Sequence, residues 1–410
     1  MAAFDMLVVG SGGGPDESNL SAYLLKPRQA AWNDGIIALE AGSGLGALRH
    51  IMKRDPNIFG EHPTDANPTS FTPLTVYANV KCFLLTHAHL DHIGSLVMAA
   101  GSLGGARKRI YGSAQTLSDL ETIFSGRIWP KLATYDENNP LFQLVYHALR
   151  ADDKYEVIFP DISVRLMTVS HGMNDSGQYD GACFFIRHDP TNQEFIFFGD
   201  VEPDSISVEP KNIAVWRAAA PKIPHVISTI FIECSYQAGR PDGQLWGHLS
   251  PVHLVQELVT LATEVVIARK ERRSCSGSRP RKKQRMSPEA LHGALEGVKV
   301  YIMHCKEQFA TERPINHVIG DQCRELLAPH QLGVELLTAD QGMKIGGSNR
   351  PIGFAIYLVL TYASSSDLNL ILNELFLFVQ LFVEIFIFGE IHRYQSSPCP
   401  FYHQSVLSPL

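Results

Sequence analysis

Thr86-His87-Ala88-His89-Leu90-Asp91-His92 directly follows the apolar run Val80–Leu85. This juxtaposition constrains the chain more than any other feature. Three imidazoles and a carboxylate within six residues suit zinc or a similar borderline cation. On a strand-like exit, His87 and His89 lie two apart and point the same way, because side chains alternate along extended backbone. Asp91 and His92 follow on a turn, from which they can face a second ion.

Further donors sit at the ends of other apolar runs. His171 follows Leu166–Ser170, Asp200 follows Phe195-Ile196-Phe197-Phe198-Gly199, and His304 follows Val300-Tyr301-Ile302-Met303. The loops at strand ends are where sheets present reactive groups. Together these residues complete an inventory for two divalent ions. His87, His89 and His171 would hold one, Asp91, His92 and His304 the other, and Asp200 could bridge them. The runs Phe4–Val9, Ile36–Leu39, Val80–Leu85, Ile162–Val169, Ala182–Ile186, Phe195–Phe198, Val226–Ile232 and Val298–Met303 have the length and the Val, Ile and Phe content of buried strands. A helix is predicted from Ser250 to Val266, with Ser250 as N-cap, Pro251 at the first helical position and Leu254, Leu258 and Leu261 on one face. Strands mixed with helices in this way predict an α/β sandwich, and no internal repeat interrupts it.

A 45% hydrophobic content supports a substantial core, and a formal charge of -7 gives no global attraction to nucleic acid. Seven cysteines without a paired spacing predict a reducing, cytoplasmic setting rather than a disulfide scaffold. Met1 to Gly10 has no basic n-region and reads as a first strand, not a leader. Two segments depart from the pattern. Residues 269–288 are basic and rich in Ser, Pro and Gly, with Arg281, Lys282, Lys283 and Arg285 clustered. They read as an exposed, disordered insertion, with nuclear targeting or RNA contact as the lesser readings. Pro351 to Ile391 is strongly apolar and long enough to span a bilayer. Asp367, Asn369, Asn373, Glu374 and Glu384 interrupt it, so a membrane span is not favoured. The expected organisation is one catalytic domain over 1–347 and an apolar tail over 348–410.

In this order, the donors resemble the metallo-β-lactamase superfamily, an αββα sandwich of two mixed sheets flanked by helices. Within it the chain is most similar to the class II cyclic-nucleotide phosphodiesterases, from about Phe4 to Ile345. The resemblance rests on Gly10-Ser11-Gly12-Gly13-Gly14-Pro15 with Glu17 and Asn19, on Glu40-Ala41-Gly42, and on His87 to His92 with Ile93-Gly94-Ser95-Leu96. It continues through Ser170-His171-Gly172, Gly199-Asp200, Phe231 to Tyr236, Gly247-His248-Leu249-Ser250-Pro251 and His304-Cys305-Lys306-Glu307. Ala99-Ala100 stands where the family's signature favours a serine, and no ligand is touched by that departure.

The resemblance implies hydrolysis of a cyclic 3′,5′-phosphate, cyclic AMP foremost, to the 5′-monophosphate. The expected attacking group is a water made nucleophilic by two divalent cations, zinc by residue type. Asp91 would orient that water or take its proton. His248 would protonate the leaving oxygen, with Glu233 holding its other ring nitrogen. Gly10 to Gly14 lacks the continuation of a dinucleotide loop and reads as a tight turn near the site. The leading alternative is a tRNA 3′-processing nuclease. A thiolester or lactam hydrolase and a catalytically dead scaffold fit less well, since His92 closes the metal motif and all seven donors are retained.

Overall fold

The computed structural model describes residues 3–60, 71–175, 177–273, 286–307 and 313–346. The first sheet contains β1 (Phe4–Gly10), β2 (Ala22–Pro27), β3 (Ile36–Leu39), β4 (Val80–Leu84), β5 (Lys108–Gly112), β6 (Ala133–Thr134) and β7 (Leu144–Ala148). The second contains β8 (Glu156–Phe159), β9 (Ile162–Asn174), β10 (Gly177–His188), β11 (Gln193–Phe198), β12 (Ile227–Glu233), β13 (Lys299–Met303) and β14 (Glu335–Thr338). A last short strand, β15 (Lys344–Ile345), returns to the first sheet and pairs antiparallel with β1. Among the described residues the spatial orders are β15-β1-β2-β3-β4-β5-β7-β6 and β14-β13-β12-β11-β10-β9-β8. Both sheets are mixed: β3, β4, β5 and β7 run parallel in the first, and β11 to β14 in the second.

The alternation of side chains explains why these strands read as continuous apolar runs. Phe195, Phe197 and Phe231 point into a core between the sheets, where they meet Phe4, Tyr23 and Leu84. Their neighbours Ile196, Phe198, Ile230 and Ile232 point the other way, against helices α5 (Asn212–Ala219), α6 (Pro251–Arg273) and α7 (Ile315–Leu327). Leu7, Val9 and Phe83 face outward against α1 (Leu45–Arg54), α2 (Pro73–Asn79), α3 (Leu90–Ala99) and α4 (Ala114–Ile123). A strand buried on both faces needs apolar residues at every position. The result is four layers, helices–sheet–sheet–helices, as expected from the sequence.

α6 begins at Pro251, as predicted, but continues to Arg273. The first residues of the segment read as a loop are therefore helical, and the exposed insertion starts later than expected. Leu254, Leu258, Leu261, Ala262 and Val265 along α6 are buried, so its apolar composition serves the core, although it is long enough to cross a membrane. Residues 274–285, with the whole cluster Arg281, Lys282, Lys283 and Arg285, and the tail 348–410 lie outside the described residues. We propose that the catalytic domain closes at β15, whose Ile345 pairs with Met6. A chain ending at Gly347 is then expected to stay soluble, with its melting temperature within a few degrees of the full chain. A large fall in a thermal unfolding comparison would place the tail in the core, because each buried Leu or Phe contributes about 1.5–3 kcal/mol.

Candidate metal centre

The carboxyl ends of β4, β11, β12 and β13 meet at one edge of the sandwich, and the sequence-predicted donors lie there. β4 ends at Leu84; after a bend at Thr86 the chain passes His87 and reaches His89, extended at the N-cap of α3, which puts Asp91 in the first helical turn. His171 lies near the end of β9, Asp200 two residues beyond β11 and His304 just beyond β13. His87, His92, His171, Asp200 and His304 are buried, while His89 and Asp91 stand at the mouth.

Three donor sets form among the described residues; the first two share Asp200, and Glu233, His248 and His304 make the third. The nitrogens of His87, His89 and His171 and a carboxylate oxygen of Asp200 lie within 4.8 Å of one another. Asp91, His92, Asp200 and His304 do the same. His89 Nδ1 is 3.0 Å from His87 Nε2 and 3.2 Å from His171 Nε2. On the other side His304 Nε2 is 3.0 Å from His92 Nε2 and 3.1 Å from Asp91 Oδ2. Asp200 reaches the first two sets, with Oδ2 3.6 Å from His87 Nε2, 3.6 Å from His171 Nε2 and 3.3 Å from His92 Nε2. Thus the seven donors read from the sequence converge, in the two groups expected.

These donors fit divalent cations. Both oxygens of Asp200 are buried without a hydrogen-bond donor among the described residues, a costly arrangement for an ionised carboxylate unless cations face it. Burial pushes the His87 imidazole well below its ordinary value and His171 down to about 3, so both rings are neutral, as metal ligands must be. His92 behaves oppositely: burial disfavours its charge, but Asp200 and Asp91 raise it well above the ordinary value. Burial likewise opposes the charge on Asp91, but the His92 and His304 rings hold this carboxyl well below the usual range. The two carboxylates thus favour a positive charge at this position, which is the role a bound cation would take.

Supporting groups fix the rings. The Gly247 carbonyl lies 2.8 Å from His171 Nδ1, and Thr86 Oγ1 lies 3.0 Å from His87 Nδ1. Such partners leave the outer nitrogen of each ring for the metal. Glu40 accepts from the Thr86 N–H at 3.1 Å and places its other oxygen 3.5 Å from His92 Nδ1. Tyr179 stacks on His89 with ring centroids 5.0 Å apart. The glycine run passes against the site as expected: a Cβ on Gly13 would lie 2.5 Å from the His304 ring, and one on Gly42 would lie 1.9 Å from the Asp91 carbonyl oxygen. Sequence reasoning gave no role to Glu40, Thr86, Tyr179 or the Gly247 carbonyl. Glu40, Thr86 and Gly247 entered only as members of the motif segments, and Tyr179 left no trace.

His248 stands beside the centre. Its Nδ1 is 2.9 Å from Glu233 Oε1, and its ring stacks on His304 at 5.4 Å. Glu233 is fully buried at the end of β12 and also accepts from the Val201 N–H, the Leu249 N–H and the Ser235 hydroxyl. Burial and the Asp200 charge push its carboxyl up to about 7, and burial lowers His248 to about 4. The pair therefore disposes of one proton close to the donors. Lys306 adds a positive group, with Nζ 3.8 Å from Asp91 Oδ2 and bonded to the Gly13 carbonyl at 2.9 Å.

A two-sheet sandwich with this donor set at its strand ends is the architecture of the metallo-β-lactamase fold with a candidate divalent-metal site. Residues 61–342 match the family of class-II cAMP phosphodiesterases, and the chain belongs to that family. It is 31% identical over 284 residues to a 3′,5′-cyclic-nucleotide phosphodiesterase of Schizosaccharomyces pombe, covering 64% of this chain and 76% of that one. A 3′,5′-cyclic-nucleotide phosphodiesterase of Aliivibrio fischeri is 27% identical over 343 residues, covering 83% and 92%. The fold matches the crystal structure of unliganded yeast PDE1 with a TM-score of 0.67 at 24% identity, over 84% of this chain and 99% of that one.

Proposed function

We propose that the protein hydrolyses 3′,5′-cyclic AMP, and other cyclic nucleotides with it, to the 5′-monophosphate, attenuating cyclic AMP signalling. The observation that carries the reading is the pairing of two donor sets on Asp200 with the His248–Glu233 couple beside them, in a chain of the class-II family. His87, His89 and His171 with Asp200, and Asp91, His92 and His304 with Asp200, would hold two divalent ions, zinc by the chemistry of the donors. When bound, such ions supply Lewis acidity toward a phosphate oxygen and a nucleophilic water at neutral pH.

The chain's own residues do the rest. Asp91 is ionised and reaches the mouth of the site, where its carboxylate orients the attacking water and accepts a proton from it. Water adds to phosphorus opposite the 3′ ester, and the P–O3′ bond breaks. Glu233 engages Nδ1 of His248, and its carboxyl, raised to about 7, hands a proton to Nδ1 as Nε2 gives its own to the departing O3′. A positioned acid of this kind contributes about 10²–10⁴-fold. Lys306 beside Asp91 favours an anionic substrate. The tRNA 3′-processing alternative shares the fold, and the family match favours the cyclic nucleotide.

The test is turnover of cyclic AMP, cyclic GMP and a precursor tRNA by the purified chain loaded with zinc or manganese. Cyclic nucleotide cleavage is expected, and tRNA cleavage alone would reverse the assignment. In the same assay Asp91→Ala is expected to lose most hydrolysis while its circular dichroism spectrum is unchanged. Near-normal turnover in that folded, metal-loaded variant would remove Asp91 from the mechanism. We place the enzyme in the cytoplasm; Cys82, Cys183, Cys234, Cys305 and Cys323 are buried free thiols, which supports a reducing compartment.

A further inference from the structure

The segment joining Glu233 to His248 holds a feature that hydrolysis itself does not use. Trp246 is 67% exposed, and its backbone lies in the left-handed region at φ 48°. A bulky side chain adopts that conformation only where neighbouring structure holds it there. Here the next residue, Gly247, anchors His171 through its carbonyl, and the His248 N–H is bonded to the Leu245 carbonyl at 3.1 Å. The Arg240 guanidinium lies 3.9 Å from the centre of the Tyr236 ring and 4.8 Å from that of Trp246. Arg240 is itself tied by Nε to the Gln244 carbonyl at 2.7 Å. Rings step outward from the donors: His304 to His248 at 5.4 Å, His248 to Tyr236 at 5.8 Å, and Tyr236 to Trp246 at 6.3 Å.

We propose that Trp246, pinned by Arg240 against Tyr236, is the platform on which the purine base of the cyclic nucleotide stacks. The inference rests on the phosphodiesterase reading for its substrate. Trp246 directly precedes Gly247, whose carbonyl holds His171, so the indole springs from backbone next to the donors that would hold the phosphate. A large aromatic side chain left bare beside a polar centre offers a flat apolar face, and base stacking on such a face is sequence-tolerant and substantial. The guanidinium behind the ring removes its freedom to swing, so less order is lost when the base arrives.

Steady-state kinetics of the metal-loaded full chain test this. Trp246→Ala is expected to raise KM for cyclic AMP roughly ten-fold or more, with kcat within about two-fold of the parent, on the scale of a lost base-stacking contact. Trp246→Phe is expected to restore most of the affinity. A KM unchanged in Trp246→Ala overturns the proposal. So does a fall in kcat at constant KM, which would show that the segment only positions His171 and His248. A second measurement does not depend on turnover: titration with adenosine 5′-monophosphate is expected to quench indole fluorescence in the parent and not in Trp246→Phe. Equal quenching in both chains overturns the proposal. Failure of the parent to cleave cyclic AMP sinks the phosphodiesterase reading instead, and the quenching still decides the platform.

Discussion

Replacing Asp200 with alanine is expected to reduce kcat/KM by about a thousand-fold or more and to lower bound metal measured by elemental analysis. No other single change is expected to do as much. Asp200 is the one donor common to the first two sets. Its two oxygens are buried, and each faces an imidazole at 3.3 Å, His92 Nε2 on one and His304 Nδ1 on the other, so it is the negative charge lying between the two sets of rings. Its removal leaves His87 and His171 facing one side and His92 and His304 the other, with nothing between them to neutralise two cations. Asp200→Asn preserves shape and volume but withdraws the charge, and it is expected to fail nearly as badly. A variant that kept full metal content and near-parent turnover would show that the two sets work independently and that the bridge is ornamental.

The second large effect is on stability. Glu233→Ala is expected to destabilise the fold by about 3–5 kcal/mol, because it strips the acceptor from several buried donors at once. The Val201 and Leu249 backbone N–H groups, the Ser235 hydroxyl and His248 Nδ1 all lie within 3.2 Å of the Glu233 carboxyl. Removal also ends the repulsion between Glu233 and Asp200. That relief is the smaller contribution, since burial is the larger cause of the raised carboxyl and protonation near neutral pH already softens it. A melting temperature about 10 °C lower by calorimetry, with catalysis impaired by the freed His248 ring, is the expected result. Glu233→Gln keeps one acceptor oxygen and should lie between the two. A melting temperature within 2 °C or so of the parent would mean that water replaces the lost acceptor at negligible cost.

Several donors were legible in the sequence because they follow runs that are buried on both faces; His171 instead lies within β9, which runs on to Asn174. Val80–Leu85, Phe195–Phe198 and Val300–Met303 could hardly be anything but strands, and the first polar residues beyond them had to stand at a sheet end. Strands with a mixed pattern were not legible. β2 carries Lys26 and β5 carries Lys108, both fully buried. Lys26 is paired with Asp5 at 2.8 Å, and Lys108 donates to the Val80 carbonyl at 2.8 Å. A lysine inside a strand argues against burial until its partner is known, and partners 21 and 28 residues away leave no local pattern. Helices α1 to α5 were hidden in the same way, between glycines and prolines that read as turns. The groups behind the metal ligands were the least visible, for a different reason. The Gly247 carbonyl is backbone and has no signature in residue type, and Glu40 acts through contacts to Thr86 and His92, which lie far from it in sequence.

The pairing of β15 with β1 has a consequence for synthesis. β1, made before every other described element, finds one of its two neighbours only when Lys344 and Ile345 have been made. Gly12 likewise meets Cys305, next to the last ligand. Until then β1 is an unprotected sheet edge, and His87 to His92 face an incomplete set of donors. A nascent chain is therefore catalytically silent over most of its elongation. Premature termination before His304 yields a sheet without its closing strand and a centre that lacks one side.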